Sequence, residues 1–118
     1  MRWLIHGNIT PAAVEAMSRH EQKTQPASGS SSSHEELLRE ATKAQVEILT
    51  TDSALVDAIF EQRIPFTRTL VYLQLEGGDV EQDDAVDRLF TRYKRLSPGR
   101  MYTVTGSRVK VRQLPGKN

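Results

Sequence analysis

Val46-Glu47-Ile48-Leu49-Thr50-Thr51, then Asp52, then Ser53-Ala54-Leu55-Val56-Asp57-Ala58-Ile59-Phe60 condenses the architecture of this chain into one short stretch. The first six residues read as a strand, rich in aliphatic and β-branched types. Asp52 stands where that strand ends and a helix begins, the position whose side-chain oxygen accepts an orphan backbone N–H. Leu55, Val56, Ile59 and Phe60 then recur at helical spacing. A strand that hands over directly to a helix is half of a βαβ unit, and the flanking sequence carries more of them.

Toward the N-terminus, Arg2-Trp3-Leu4-Ile5 reads as a buried strand stopping at His6-Gly7-Asn8. Thr10-Pro11 opens a helix through Val14 and Met17 to about Arg19, because proline loses nothing at the first helical position. His20 to Gln25 holds room for a short strand, and Pro26 to Ser33 is a flexible Ser-rich loop by composition. Ser33 and Glu36 form a capping box for a helix whose apolar stripe is Leu37, Leu38, Ala41 and Ala44. Toward the C-terminus, Thr69 to Leu75 reads as a central strand and Gly77-Gly78 as a turn. A helix follows from Val80 or Glu81 to Leu96, with Val86, Leu89, Phe90, Tyr93 and Leu96 on one face, ended by Ser97-Pro98-Gly99. Met101–Thr105 and Arg108–Gln113 read as a hairpin around Gly106-Ser107. The expected fold is therefore a single α/β domain over 1–118, three-layered, with a mainly parallel sheet and a C-terminal basic hairpin.

Composition excludes several classes. With 118 residues, 37% of them hydrophobic, the chain supports one core, and the absence of Cys rules out a disulfide scaffold or a thiolate metal site. No charged-then-apolar leader follows Met1 and no apolar run approaches a membrane span, so the expectation is a soluble cytoplasmic protein with no membrane partner. The net charge of +1 conceals a split: 7 basic and 15 acidic residues up to Asp87, then 9 basic and no acidic residues from Arg88 onward. Such asymmetry is a hint of nucleic-acid contact.

In an open parallel sheet, ligand groups gather where strands end and helices begin. Three such points exist here: His6-Gly7-Asn8, Ser33 to Glu36, and Thr50-Thr51-Asp52-Ser53. Each alone has an ordinary explanation, Asp52 and Glu36 as cap residues and Asn8 as a loop residue that tolerates left-handed backbone.

Their order, however, resembles the small PIN-like domains of the predicted-nuclease kind. His6-Gly7-Asn8-Ile9-Thr10-Pro11 matches the Asp-Glu-Asn-Leu-Pro-Pro stretch after the opening strand of that family. Arg19-His20 resembles its Gly-His, and His34-Glu35-Glu36 its Asp-Glu-Glu helix start. Leu49-Thr50-Thr51-Asp52-Ser53-Ala54-Leu55 resembles Val-Thr-Arg-Asp-Lys-Asp-Phe, and Arg108-Val109-Lys110-Val111-Arg112-Gln113-Leu114-Pro115 its basic closing strand. The resemblance implies hydrolysis of RNA phosphodiesters by Mg²⁺ or Mn²⁺ held on clustered acids, since hard cations prefer oxygen ligands. It also implies Asp52, Asn8 and Glu36 as the catalytic set.

At most of the acidic positions this chain differs. His6, Gly7, His34 and Ala54 stand where the family carries acids, while Asp52, Asn8, Glu35 and Glu36 keep oxygen ligands. Two readings follow. In one, the domain has kept the fold and an RNA- or protein-binding surface without catalysis or cofactor. In the other, His6, His34 and Asp52 rebuild a site for a softer ion such as Mn, Co, Ni or Zn, which imidazole suits better than it suits Mg²⁺. The resemblance further admits a small antitoxin-like partner protein, or self-association.

The basic end divides in two. Asp83, Asp84 and Asp87 at the start of the last helix and Arg88, Arg92, Lys94 and Arg95 at its end complement the helix dipole, with Asp84 and Arg88 placed for an i,i+4 pair. In Arg108-Val109-Lys110-Val111-Arg112 the alternation puts three cations on one face, about 7 Å apart. These three, with Arg92 and Arg95, are the candidate nucleic-acid contacts, and edge protection by charged residues is the rival explanation. Trp3, Phe60, Phe90 and Tyr93 fall on apolar stripes, leaving Phe66, Tyr72 and Tyr102 for base stacking.

Overall fold

The computed structural model describes residues 1–27 and 33–115. Most of the Ser-rich loop, residues 28–32, lies outside the described residues, so the expectation of flexibility there falls outside them too. The chain runs β1 (Arg2–His6), α1 (Pro11–Arg19), β2 (Lys23–Pro26), α2 (His34–Ala44), β3 (Glu47–Thr50), α3 (Ser53–Glu61), β4 (Leu70–Leu73), α4 (Asp79–Arg92), β5 (Arg100–Val104) and β6 (Val109–Gln113). One six-stranded sheet results, ordered β2-β1-β3-β4-β5-β6, parallel throughout except for the β5–β6 hairpin. No helix among the described residues is long and apolar enough to cross a membrane.

Period-two alternation sends the strand side chains to two cores. Trp3, Leu49, Val71 and Tyr102 meet Ala13 and Met17 of α1 and Val86, Leu89 and Phe90 of α4. Leu4, Ile48, Leu70 and Met101 meet Leu37, Leu38 and Ala41 of α2 and Leu55 and Ile59 of α3. Burying both faces is what makes β3 and β4 continuous apolar runs. The β3–α3–β4 and β4–α4–β5 connections step the same way across the sheet with helices on opposite faces, so their hands are opposite. The β1–α1–β2 and β2–α2–β3 connections share the hand of β3–α3–β4, so β4–α4–β5 alone among the parallel connections has the opposite hand. Its helix covers the half of the sheet that α1 leaves open.

Caps behave as the sequence implied. Thr10 accepts from Ala13 N, Ser33 from Glu36 N and Asp52 from Ala54 N. Several boundaries differ, β4 for one ending at Leu73 and not at Leu75. His6 is the last residue of β1, not the first of a loop, because it pairs with Thr50. Pro26 lies in β2 opposite Ile5, where an edge strand tolerates a missing donor. Helix α4 starts at Asp79, capped by Glu81 Oε1 accepting from Gly78 N at 2.8 Å. It stops at Arg92 and not at Leu96, since Tyr93 turns extended and packs edge-on against Tyr102 while Ser97 N donates to the Tyr102 hydroxyl.

Candidate site at the carboxyl edge of the sheet

The three points singled out in the sequence lie together. β1 and β3 are neighbours, so His6 stands in register with Thr50; Thr50 is in turn in register with Tyr72, and Tyr72 with Thr103. Two residues before each of these lies a core residue of the α2/α3 side, Leu4, Ile48, Leu70 and Met101, and the pleat repeats every second residue. The carboxyl end of that face is thus a polar row across four strands, overhung by the starts of α2 and α3. Strand order, which the sequence does not print, was needed to see Thr50 and Tyr72 as parts of it.

Thr50 is the hub. Its Oγ1 accepts from Asp52 N at 3.0 Å and lies 3.0 Å from His6 Nδ1. With one proton and two lone pairs, the hydroxyl bonds Nδ1 as donor or as acceptor according to the His6 tautomer. Burial favours the neutral imidazole: it lowers the His6 pKa from the ordinary 6.5, with the Asp52 charge opposing and the His34 charge reinforcing the shift. His34 meets His6 edge to face at 6.4 Å between ring centres, and its Nε2 lies 3.6 Å from Asp52 Oδ2. The other Asp52 oxygen accepts the Ala54 N–H at 2.9 Å, so one carboxylate both caps α3 and faces a histidine.

Gly7 has its own reason. Its φ is +82°, and a Cβ there would sit 2.6 Å from Thr51 Oγ1 and 3.3 Å from Thr51 N. The same hydroxyl accepts from Asn8 N at 2.7 Å, so the β1 end is clamped onto the β3 end and no acidic side chain fits at position 7 without rebuilding the clamp. Buried Gln82 of α4 completes it, donating to Asn8 O at 2.8 Å and accepting from Thr10 N at 3.0 Å.

A hard divalent ion fits these donors poorly. Asp52 brings one carboxylate already committed to a cap; Glu35 pairs with Arg39 at 3.1 Å, and Glu36 gives its backbone N–H to Ser33. Among the described residues no three His, Asp or Glu side chains are gathered so as to hold a metal ion.

The basic residues are spread more widely. Arg92 lies on α4 with its guanidinium 5.6 Å from the Tyr93 ring, and Arg95 is exposed beyond the helix end. Of the three cations expected at β6, Arg108 precedes the strand and closes the hairpin through its carbonyl, and Arg112 lies 3.7 Å over the Phe60 ring. Lys110 is exposed between them. The expected Asp84–Arg88 pair is not among the ion pairs of the described residues. Arg88 donates to Thr105 O at 2.6 Å, while Asp83 and Asp87 reach across to Arg19 at the end of α1 and to His20 just after it. The aromatic reserve for stacking is also absent, because Phe66, Tyr72 and Tyr102 are all buried.

No protein-family model matches the chain, and neither a curated protein nor a solved structure does so.

Proposed function

We propose that this protein is a PIN-like, ribonuclease-related domain that contacts RNA without hydrolysing it through a hard metal ion. The single observation behind this reading is the carboxyl edge itself, where a histidine pair and one capping carboxylate stand in place of an acidic cluster. The parallel sheet with helices on both faces supports the resemblance, and the acid-free segment from Arg88 onward supports a polyanionic partner. RNA binding measured against salt tests it. Affinity should fall steeply with ionic strength, and Arg108→Ala with Lys110→Ala should make the log–log slope shallower by about 0.7 for each phosphate no longer neutralised. A flat salt response contradicts the reading.

A second reading is favoured by the approach of His34 to Asp52 and to His6: a softer ion held by His6, His34 and Asp52. Such an ion would supply a polarised water beside RNA, with His6 offering Nε2 in the tautomer whose Nδ1–H donates to Thr50 Oγ1. Calorimetric titration with Zn²⁺, Mn²⁺ and Mg²⁺ separates the two. Saturable Zn²⁺ binding that His6→Ala abolishes supports the second; heat indistinguishable from dilution supports the first.

A further inference from the structure

The crevice beside the histidine pair has a different character. A recess of about 240 Å³ opens between the ends of β3 and β4 and the start of α4, and Asn8, Thr51, Tyr72, Gln74 and Gln82 line it. It lies at the carboxyl ends of the strands, one strand over from the β1/β3 point where the sheet order reverses. Ligands of open α/β sheets gather along that carboxyl edge.

We infer that this recess receives a nucleobase, which names the part of RNA the proposed domain reads and rests on that reading. Three observations carry the inference. First, among the described residues no acidic or basic side chain lines it, so neither phosphate nor a metal ion finds its counter-charge there. Second, the polar side chains on that face are carboxamides and a hydroxyl, which donate and accept like the edge of a base. The Asn8 and Gln74 carboxamides are exposed and make no hydrogen bond within the described residues, whereas Leu73 and Leu75 supply apolar wall. Third, the wall is rigid before any ligand arrives. Gln82 uses both ends of its amide on Asn8 and Thr10, and Thr51 Oγ1 holds Asn8 N. The volume lies below the roughly 300–1,000 Å³ of sites for drug-sized ligands, which suits one ring system and not a longer segment.

The test is an NMR titration of the full chain with the four uncharged nucleosides, with ribose and with N-acetylglycinamide. Nucleosides should shift Asn8, Thr51, Gln74 and Gln82 resonances saturably while ribose leaves them unmoved. The Asn8→Ala/Gln74→Ala double variant, altered only at exposed side chains, should bind about tenfold more weakly, the loss expected for one or two neutral hydrogen bonds. Unmoved resonances with every nucleoside overturn the inference, as does equal binding by the double variant. Binding of the amide but not of nucleosides overturns it in favour of a peptide ligand. The two proposals fail separately: salt-dependent RNA binding without nucleoside shifts refutes the recess alone, and nucleoside shifts without RNA binding refute the RNA reading alone.

Discussion

Strand β3 carries an acid at each end, and the two have opposite fates. Glu47 at the amino end is 2% exposed. It accepts from Arg68 Nη2 at 2.9 Å and from Thr69 N at 3.2 Å. Arg68 Nη2 also donates to Gln45 O at 3.1 Å, which ties β3 to the approach of β4. Asp52, just past the carboxyl end, is about one-third exposed, holds one backbone N–H, and faces a histidine at 3.6 Å. The amino edge uses its carboxylate for structure. The carboxyl edge leaves its groups half-exposed and incompletely paired, the condition under which side chains can meet a ligand.

Substitutions should separate the edges by size of effect. Glu47→Ala breaks a buried pair and leaves Arg68 uncompensated; a loss of about 3 kcal/mol in urea unfolding is expected, at the low end for buried pairs because Arg68 is itself one-third exposed. A loss below about 1 kcal/mol would mean that the amino edge is not the structural one. Gly7→Ala comes next. The positive φ and the contact with Thr51 Oγ1 predict a cost of about 2 kcal/mol, and Gly7→Glu, which restores the acid of the resembled family, should cost more without producing nuclease activity. At Asp52, alanine removes the α3 cap for about 1 kcal/mol whereas asparagine keeps it, so melting curves of Asp52→Asn should nearly overlay the parent.

The smallest effect is a pH dependence. The folded His6 pKa lies below the unfolded 6.5, so the unfolded chain binds more protons as pH falls. Stability should therefore be complete above about pH 6.5 and decline below it until the folded pKa is passed. His6→Gln should flatten that part of the profile, and a profile unchanged by the substitution would mean that His6 is not held neutral.

Local chemistry was legible in the sequence, and long-range chemistry was not. Thr10, Ser33 and Asp52 could be read as caps because a cap needs only its own next few residues. The convergence of His6, His34 and Asp52 required strand order, and the Gln82 clamp joins residues more than seventy positions apart. Glu47 looks like a solvent-facing polar break in a strand until Arg68 is brought beside it. Likewise the last four residues expected in α4 keep its apolar spacing, so Leu96 is buried even though the helix has ended. The contacts of the basic residues were hidden for a complementary reason: alternation places Arg112 on a face of β6, but it cannot show that its guanidinium lies over the Phe60 ring.

The carboxyl edge as an RNA-contacting surface without a hard-metal centre is the central claim, and a ribonuclease assay in Mg²⁺ and in Mn²⁺ tests it most directly. With wild type and Asp52→Asn purified side by side, the account predicts no cleavage above the protein-free control for either. Metal-dependent cleavage by wild type that Asp52→Asn abolishes would contradict it.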